Sequence, residues 1–144
     1  MTLSSADAAD QTIHEGGCLC GGIRYRVTGA PLSANICYCT QCQRQTGAAM
    51  PAFVSYALDR FRLLAGEPAS YRSSHIAVRQ FCARCGSSLF WRRDGEDQLD
   101  LFLGTLDDPA CMKPPDDQLW VIHRAPWVPA LPGVAAYPRE RGSA

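Results

Sequence analysis

Lysine is almost missing from this 144-residue chain: of fourteen basic residues thirteen are Arg and one, Lys113, is Lys. Fourteen acidic residues balance them, so the formal net charge is zero. That balance excludes both a polyacidic tail and the broad cationic face on which nucleic-acid binding relies, and no nucleic-acid partner is expected. Long apolar runs are also missing. No stretch approaches the ~20 residues of a membrane span, so no membrane association is expected. The first residues carry Asp7 and Asp10 but neither a basic segment nor an apolar run of signal-peptide length. This points to the cytoplasm, a reducing compartment in which thiols stay unpaired. Extended helical patterns are absent as well. Twelve Gly and ten Pro recur at short intervals, which suits many short strands joined by turns.

What remains is ordinary globular composition, 47% hydrophobic and 19% charged, at a length that fits one domain. Residues 1–13 read as a flexible leader, 14–137 as the single domain and 138–144 as a flexible tail. Alternating or β-branched and aromatic segments predict strands at Gly22–Thr28, Ala52–Tyr56, Arg60–Leu64, Ala77–Phe81, Ser88–Arg92, Gln98–Leu103 and Leu119–His123. In Ile23-Arg24-Tyr25-Arg26-Val27 the period of two is clean, with one face for a core and one for water. One short helix is expected, Thr40 to about Thr46, with Thr40 as N-cap and Gly47 as stop. The fold class read from these signals is mainly β, with one or two short helical turns.

Eight Cys are the compositional outlier. Seven fall in tight clusters: Cys18 and Cys20; Cys37, Cys39 and Cys42; Cys82 and Cys85. In an extended strand, residues i and i+2 project to the same side, so C-x-C offers two thiolates to one ion. In C-x-x-C a tight turn gathers the two sulfurs, and nearby N–H groups can bond to them. The simplest partition makes Cys18, Cys20, Cys82 and Cys85 a closed tetrahedral site that supplies folding free energy. Cys37, Cys39 and Cys42 are then three ligands with an exchangeable fourth position, the arrangement of a catalytic zinc. Other partitions remain open. Cys18, Cys20, Cys39 and Cys42 could form the closed site, Cys39 and Cys42 could be a redox dithiol with Cys37 in the core, or the cysteines could form disulfides.

The segments Gly17-Cys-Leu-Cys-Gly-Gly-Ile-Arg-Tyr25, Cys37-Tyr-Cys-Thr-Gln-Cys-Gln-Arg-Gln-Thr-Gly47 and Phe81-Cys-Ala-Arg-Cys-Gly-Ser-Ser-Leu-Phe90 resemble the glutathione-dependent formaldehyde-activating (GFA) family, which includes centromere protein V-like proteins. Gly104-Thr-Leu-Asp107 and the segment Trp120 to Trp127 fit the same pattern, and the resemblance covers roughly residues 14 to 132. It implies an Mss4-like zinc fold of short antiparallel strands and two Zn²⁺ per chain. The structural ion would fall on Cys18, Cys20, Cys82 and Cys85, the catalytic one on Cys37, Cys39 and Cys42. The implied activity is that of a carbon–sulfur lyase joining formaldehyde to a small thiol, glutathione, to give S-hydroxymethylglutathione. The alternative is a non-enzymatic zinc-binding module for a protein or other partner.

Two positions depart from the family pattern, where His is common: Tyr38, between the paired Cys, and Gln118. Arg44, two residues after Cys42, is the expected carboxylate-binding or oxyanion-steadying residue beside the second ion. His14, His75 and His123 are read as ordinary, Cys111 as a buried or free thiol, and Trp91, Trp120 and Trp127 as core, with room for one beside the ion.

Overall fold

The computed structural model describes residues 11–144. Of the expected leader, residues 1–10 lie outside the described residues; Ile13 already belongs to a strand. The elements are β1 (Ile13–Gly17), β2 (Arg24–Thr28), β3 (Ser33–Cys37), α1 (Thr40–Thr46), β4 (Ala52–Ala57), β5 (Phe61–Ala65), β6 (Ala69–Arg72), β7 (Ala77–Phe81), β8 (Ser88–Arg93), β9 (Gln98–Phe102), β10 (Asp117–Leu119) and β11 (Ala135–Ala136), with short 3-10 turns between them. The fold is mainly β, of the Mss4-like type that the resemblance implied.

Strands β1-β2-β5 form a three-stranded sheet, and β11-β10-β3-β4-β9-β8-β7-β6 an eight-stranded one. The β10 pairings with β3 and β11 are parallel and the others antiparallel. One predicted strand is corrected. Leu119–His123 is not extended: β10 ends at Leu119, Trp120 takes φ 58, and Val121–His123 form a 3-10 turn. A left-handed Trp breaks the ladder that the apolar pattern suggested.

The core lies between the two sheets. Tyr25 and Val27 of β2 point inward onto Val54, Tyr56, Leu99 and Leu101 of the larger sheet. The Tyr25 and Phe90 rings meet edge to face at 5.2 Å, the arrangement aromatic quadrupoles favour. On the outer face of β2, Arg24 donates to Asp107 at 2.8 Å and Arg26 to Glu15 at 3.0 Å. Gly16 is required by close approach. A Cβ there would sit 2.4 Å from the Thr105 carbonyl oxygen and 2.5 Å from the Tyr25 hydroxyl.

The other face of the larger sheet is assembled by register. Cys37 and Asn35 share one face of β3; Asn35 lies opposite Phe53, Phe53 opposite Phe102, Asp100 opposite Trp91, and Trp91 opposite Arg79. Chemistry-bearing residues from five strands therefore line one surface, which α1 flanks. The chain from Pro138 returns to this side. Trp120 donates its N–H to the Arg139 carbonyl at 2.9 Å, and the Arg141 guanidinium reaches buried Asp117 at 3.1 Å.

Candidate metal centres and the adjoining cleft

The eight cysteines are all free, so the disulfide alternative has no support here. Cys18 and Cys20 sit in the turn between β1 and β2; Cys82 and Cys85 sit in the turn between β7 and β8. Their four sulfurs all lie within 4.8 Å of one another. Cys18 to Cys20 is 3.5 Å and Cys20 to Cys82 is 3.8 Å, against an edge of about 3.8 Å for a tetrahedron with 2.3 Å zinc–sulfur bonds. The turns aim N–H groups at the sulfurs: Ile23 donates to Cys18 at 3.2 Å and Cys85 to Cys82 at 3.5 Å. The two turns also hold each other directly, since Leu19 donates its N–H to the Ser87 hydroxyl at 2.9 Å. That hydroxyl, the Ser87 N–H and the Cys20 N–H bring the Cys85 thiol down to about 5. An all-sulfur donor set of this size suits a soft tetrahedral ion.

Cys37 ends β3, Cys39 caps α1 and Cys42 lies in its first turn, accepted by geometry into a second group of three sulfurs within 4.8 Å. The helix N-cap is thus Cys39, one residue before the expected Thr40: its sulfur accepts the Cys42 N–H at 3.3 Å. Gly47, with φ 69, closes the C-terminus by donating to the Gln43 carbonyl at 2.8 Å. Hydrogen bonds from Cys37, then Cys42, hold the Cys39 thiol down to about 2. The cost falls on the others. Cys37 is pushed far up by Cys39, Cys42 and burial; for Cys42 the lowering contact with Cys37 is outweighed by Cys39 and burial, giving about 11. Crowded together, the sulfurs oppose one another's ionisation. A cation is what would ionise all three.

Beneath this cluster the Phe53 and Phe102 rings lie 4.4 Å apart. Beside it runs Arg79 of β7, whose Nη1 and Nη2 approach the Cys42 sulfur at 3.7 and 3.6 Å. A cleft of about 450 Å³ opens over the cluster, walled by Trp91, Trp120 and His123 and reaching Asn35, Arg93, Asp100 and Glu140. The three-sulfur group lines it and the four-sulfur group does not. Trp120 in its left-handed conformation stacks on His123 with ring centroids 6.1 Å apart. Such an outlier on a non-Gly residue is held by its surroundings, here by the returning chain at Arg139.

Asp100 is one of two carboxylate residues that line the cleft, the other being Glu140. Burial pushes the Asp100 pKa up, partly offset by the hydroxyl of Ser55, which donates to it. A carboxyl whose folded pKa is raised stabilises the fold below its unfolded pKa and loses that contribution as pH rises through the folded value. Asp100→Asn, which still accepts from Ser55, is therefore expected to be more stable than the wild type at pH 7.5, with the advantage shrinking toward pH 4. Urea unfolding of both proteins at the two pH values measures it; a variant less stable at pH 7.5 would contradict the sign.

Several sequence expectations land elsewhere. Arg44 is exposed and does not line the cleft; it borders a neighbouring hollow of about 500 Å³ on the far side of Arg79. Tyr38 and Gln118, the two departures from the family pattern, touch each other, with the Tyr38 hydroxyl 3.5 Å from Gln118 Oε1. Both are buried, and neither lines the cleft. Cys111 is a free thiol, the second of its two expected alternatives, and is exposed, its sulfur 3.3 Å from His14 Nδ1. Trp127 is 76% exposed, not core, while Trp91 and Trp120 line the cleft together with His123. Arg79 and Asp100 were missed by sequence reasoning. A signal existed for Arg79, which falls on the same face as apolar Ala77 and Phe81 in a segment read as a strand, a charge where a core residue would be expected.

The sequence profile of the glutathione-dependent formaldehyde-activating enzyme family (GFA) matches residues 13–123. The chain belongs to this family. The matched span holds all seven clustered cysteines, Arg79, Asp100 and Trp120. A Halomonas elongata protein named "Putative glutathione-dependent formaldehyde-activating enzyme" is 29% identical over 124 residues, covering 79% of this chain and 78% of that protein. The crystal structure of a Rhodobacter sphaeroides protein shares the fold, with a TM-score of 0.55 and 24% identity over 65% of this chain and 87% of that one. Membership supports a function related to glutathione and formaldehyde. No helix among the described residues is long and apolar enough to cross a membrane.

Proposed function

We propose that the chain is a zinc-dependent enzyme of the carbon–sulfur lyase type, acting on a small thiol such as glutathione and its adduct with formaldehyde. In this reading Cys18, Cys20, Cys82 and Cys85 hold a structural zinc, and Cys37, Cys39 and Cys42 hold a second zinc with one position open. The observation that carries it is the inequality of the two sulfur groups, since only the three-sulfur one faces a cleft of substrate size. Cytoplasmic residence is part of the proposal, supported by eight unpaired cysteines.

The reaction forms one carbon–sulfur bond: the thiolate sulfur attacks the aldehyde carbon, the carbonyl electron pair moves to oxygen, and that oxygen takes up a proton. Bound zinc supplies a site that keeps the thiol ionised at neutral pH. The chain's own residues supply position. Phe53 and Phe102 close the floor against water, Trp91 and Trp120 confine the ligand, and Arg93 and His123 stand where substrate carboxylates enter. Arg44, across Arg79 from the cleft, acts in this reading as an approach charge on substrate carboxylates.

Thiol addition to formaldehyde runs unaided, so the test is exchange. Two-dimensional NMR exchange between free and glutathione-bound ¹³C-formaldehyde should speed up at least tenfold over background with micromolar protein. An unchanged rate would overturn the reading for this substrate pair.

A further inference from the structure

Arg79 is 5% exposed, and a buried guanidinium is costly unless a countercharge meets it. Among the described residues no carboxylate pairs with it. Its partners are the Gln45 side-chain oxygen at 2.7 Å, that of Gln41 at 3.5 Å and the Cys42 sulfur. Its Nε has no partner among the described residues. The two amides are neutral, so the one group able to balance the charge is sulfur. Gln41 and Gln45 lie four apart on α1, on one face of the helix, and Cys42 lies beside them. The element that delivers the ligand therefore also clamps the cation against it. Both Nη atoms fork onto one sulfur, a contact that rewards thiolate and gains little from neutral thiol.

Resting on the reading of Cys37, Cys39 and Cys42 as an open metal centre, we infer that Arg79 is a positioning residue that sets the charge preference of the fourth coordination position, selecting an anionic ligand over a neutral one. Three thiolates around a dication carry −1, which Arg79 brings to zero. An incoming thiolate then raises the local charge to −1 instead of −2. A neutral ligand such as imidazole gains nothing from the guanidinium. Thiolate is thereby favoured over thiol, water or imidazole, and the ligand class is anionic sulfur.

The test uses the cobalt-loaded full chain, whose visible bands report ligands entering the coordination shell, titrated with azide, 2-mercaptoethanol and imidazole. Arg79→Met is expected to weaken azide and the thiol by about tenfold or more, the scale of a hydrogen bond to a charged group. Imidazole affinity should move less than threefold, and Arg79→Lys should restore most of the anion preference. Equal weakening of all three ligands would reduce Arg79 to a structural role and overturn the inference, as would no change in any. Arg79→Gln serves if the Met variant fails to fold. In the wild-type chain loaded with diamagnetic zinc, the Arg79 ¹⁵Nε–¹Hε resonance, assigned by its loss in Arg79→Lys, should shift with azide more than with imidazole; equal shifts overturn the inference without any variant. None of these readouts involves formaldehyde, so failure of the exchange assay with an intact azide-to-imidazole ratio would overturn the substrate reading alone.

Discussion

Cys82→Ser combined with Cys85→Ser is expected to give a chain that no longer folds. Its far-ultraviolet spectrum should lose strand character, its thermal scan should show no cooperative transition, and it should retain neither ion. The reason is topological. The four sulfurs tie the β1–β2 turn to the β7–β8 turn across 62 residues, adding a long-range link to a small sheet otherwise docked through a few core side chains and its contacts with residues 105–107. Every residue of β5 but Phe61 is exposed, so Ile23, Tyr25, Val27 and Phe61 carry most of its docking. A structural zinc site contributes about 10–16 kcal/mol of binding free energy that appears as folding free energy. A domain of this size has a total stability of about 5–15 kcal/mol. Losing the first removes the second. A cooperative transition surviving within a few degrees of the wild type would show that the core suffices and that the four-sulfur group is not structural.

The legibility of these features in sequence followed how local each one is. Metal ligation demands sulfurs close together, and short C-x-C and C-x-x-C spacings deliver that within one turn, so both groups could be read from spacing. Likewise β2 was visible because its alternation is written in its own residues. Strand β3 was invisible. Ser33, Ala34 and Asn35 have no β-branched or aromatic side chain among them, and the strand exists because β4 and β10 pair with it on either side. The Leu119–His123 segment fails for the converse reason. Its apolar pattern is strand-like, but Trp120 is drawn into a left-handed turn by the returning chain. The cleft is less legible still, because Asn35, Phe53, Asp100, Trp91 and Arg79 meet only through the register of five strands. Tyr38 and Gln118 teach the same lesson. Read along the chain they are two separate departures beside the site, yet in the fold they are one buried pair behind it.

Replacing Cys37, Cys39 and Cys42 together by Ser should leave the fold in place while removing one of two ions and all acceleration of formaldehyde exchange. This group closes a loop within residues 37–42, so it adds little to long-range topology. Strand β3 keeps its pairings with β4 and β10, and Ser at position 39 remains a competent helix N-cap. What the variant damages is Arg79, which keeps its burial and its two glutamine partners but loses its countercharge. Removing one partner of a buried pair costs about 3–5 kcal/mol, so the triple variant should be measurably weakened in urea yet still cooperative. Adding Arg79→Met should recover part of that loss, a non-additivity that no account of Arg79 as simple packing produces. Zinc content by mass spectrometry, urea unfolding of the triple and quadruple variants, and the exchange rate together decide the matter. Two ions retained by the triple variant would refute the assignment of the second site. Loss of cooperative unfolding would make that site structural as well, and further destabilisation by Arg79→Met would remove the charge balance as the link between β7 and α1.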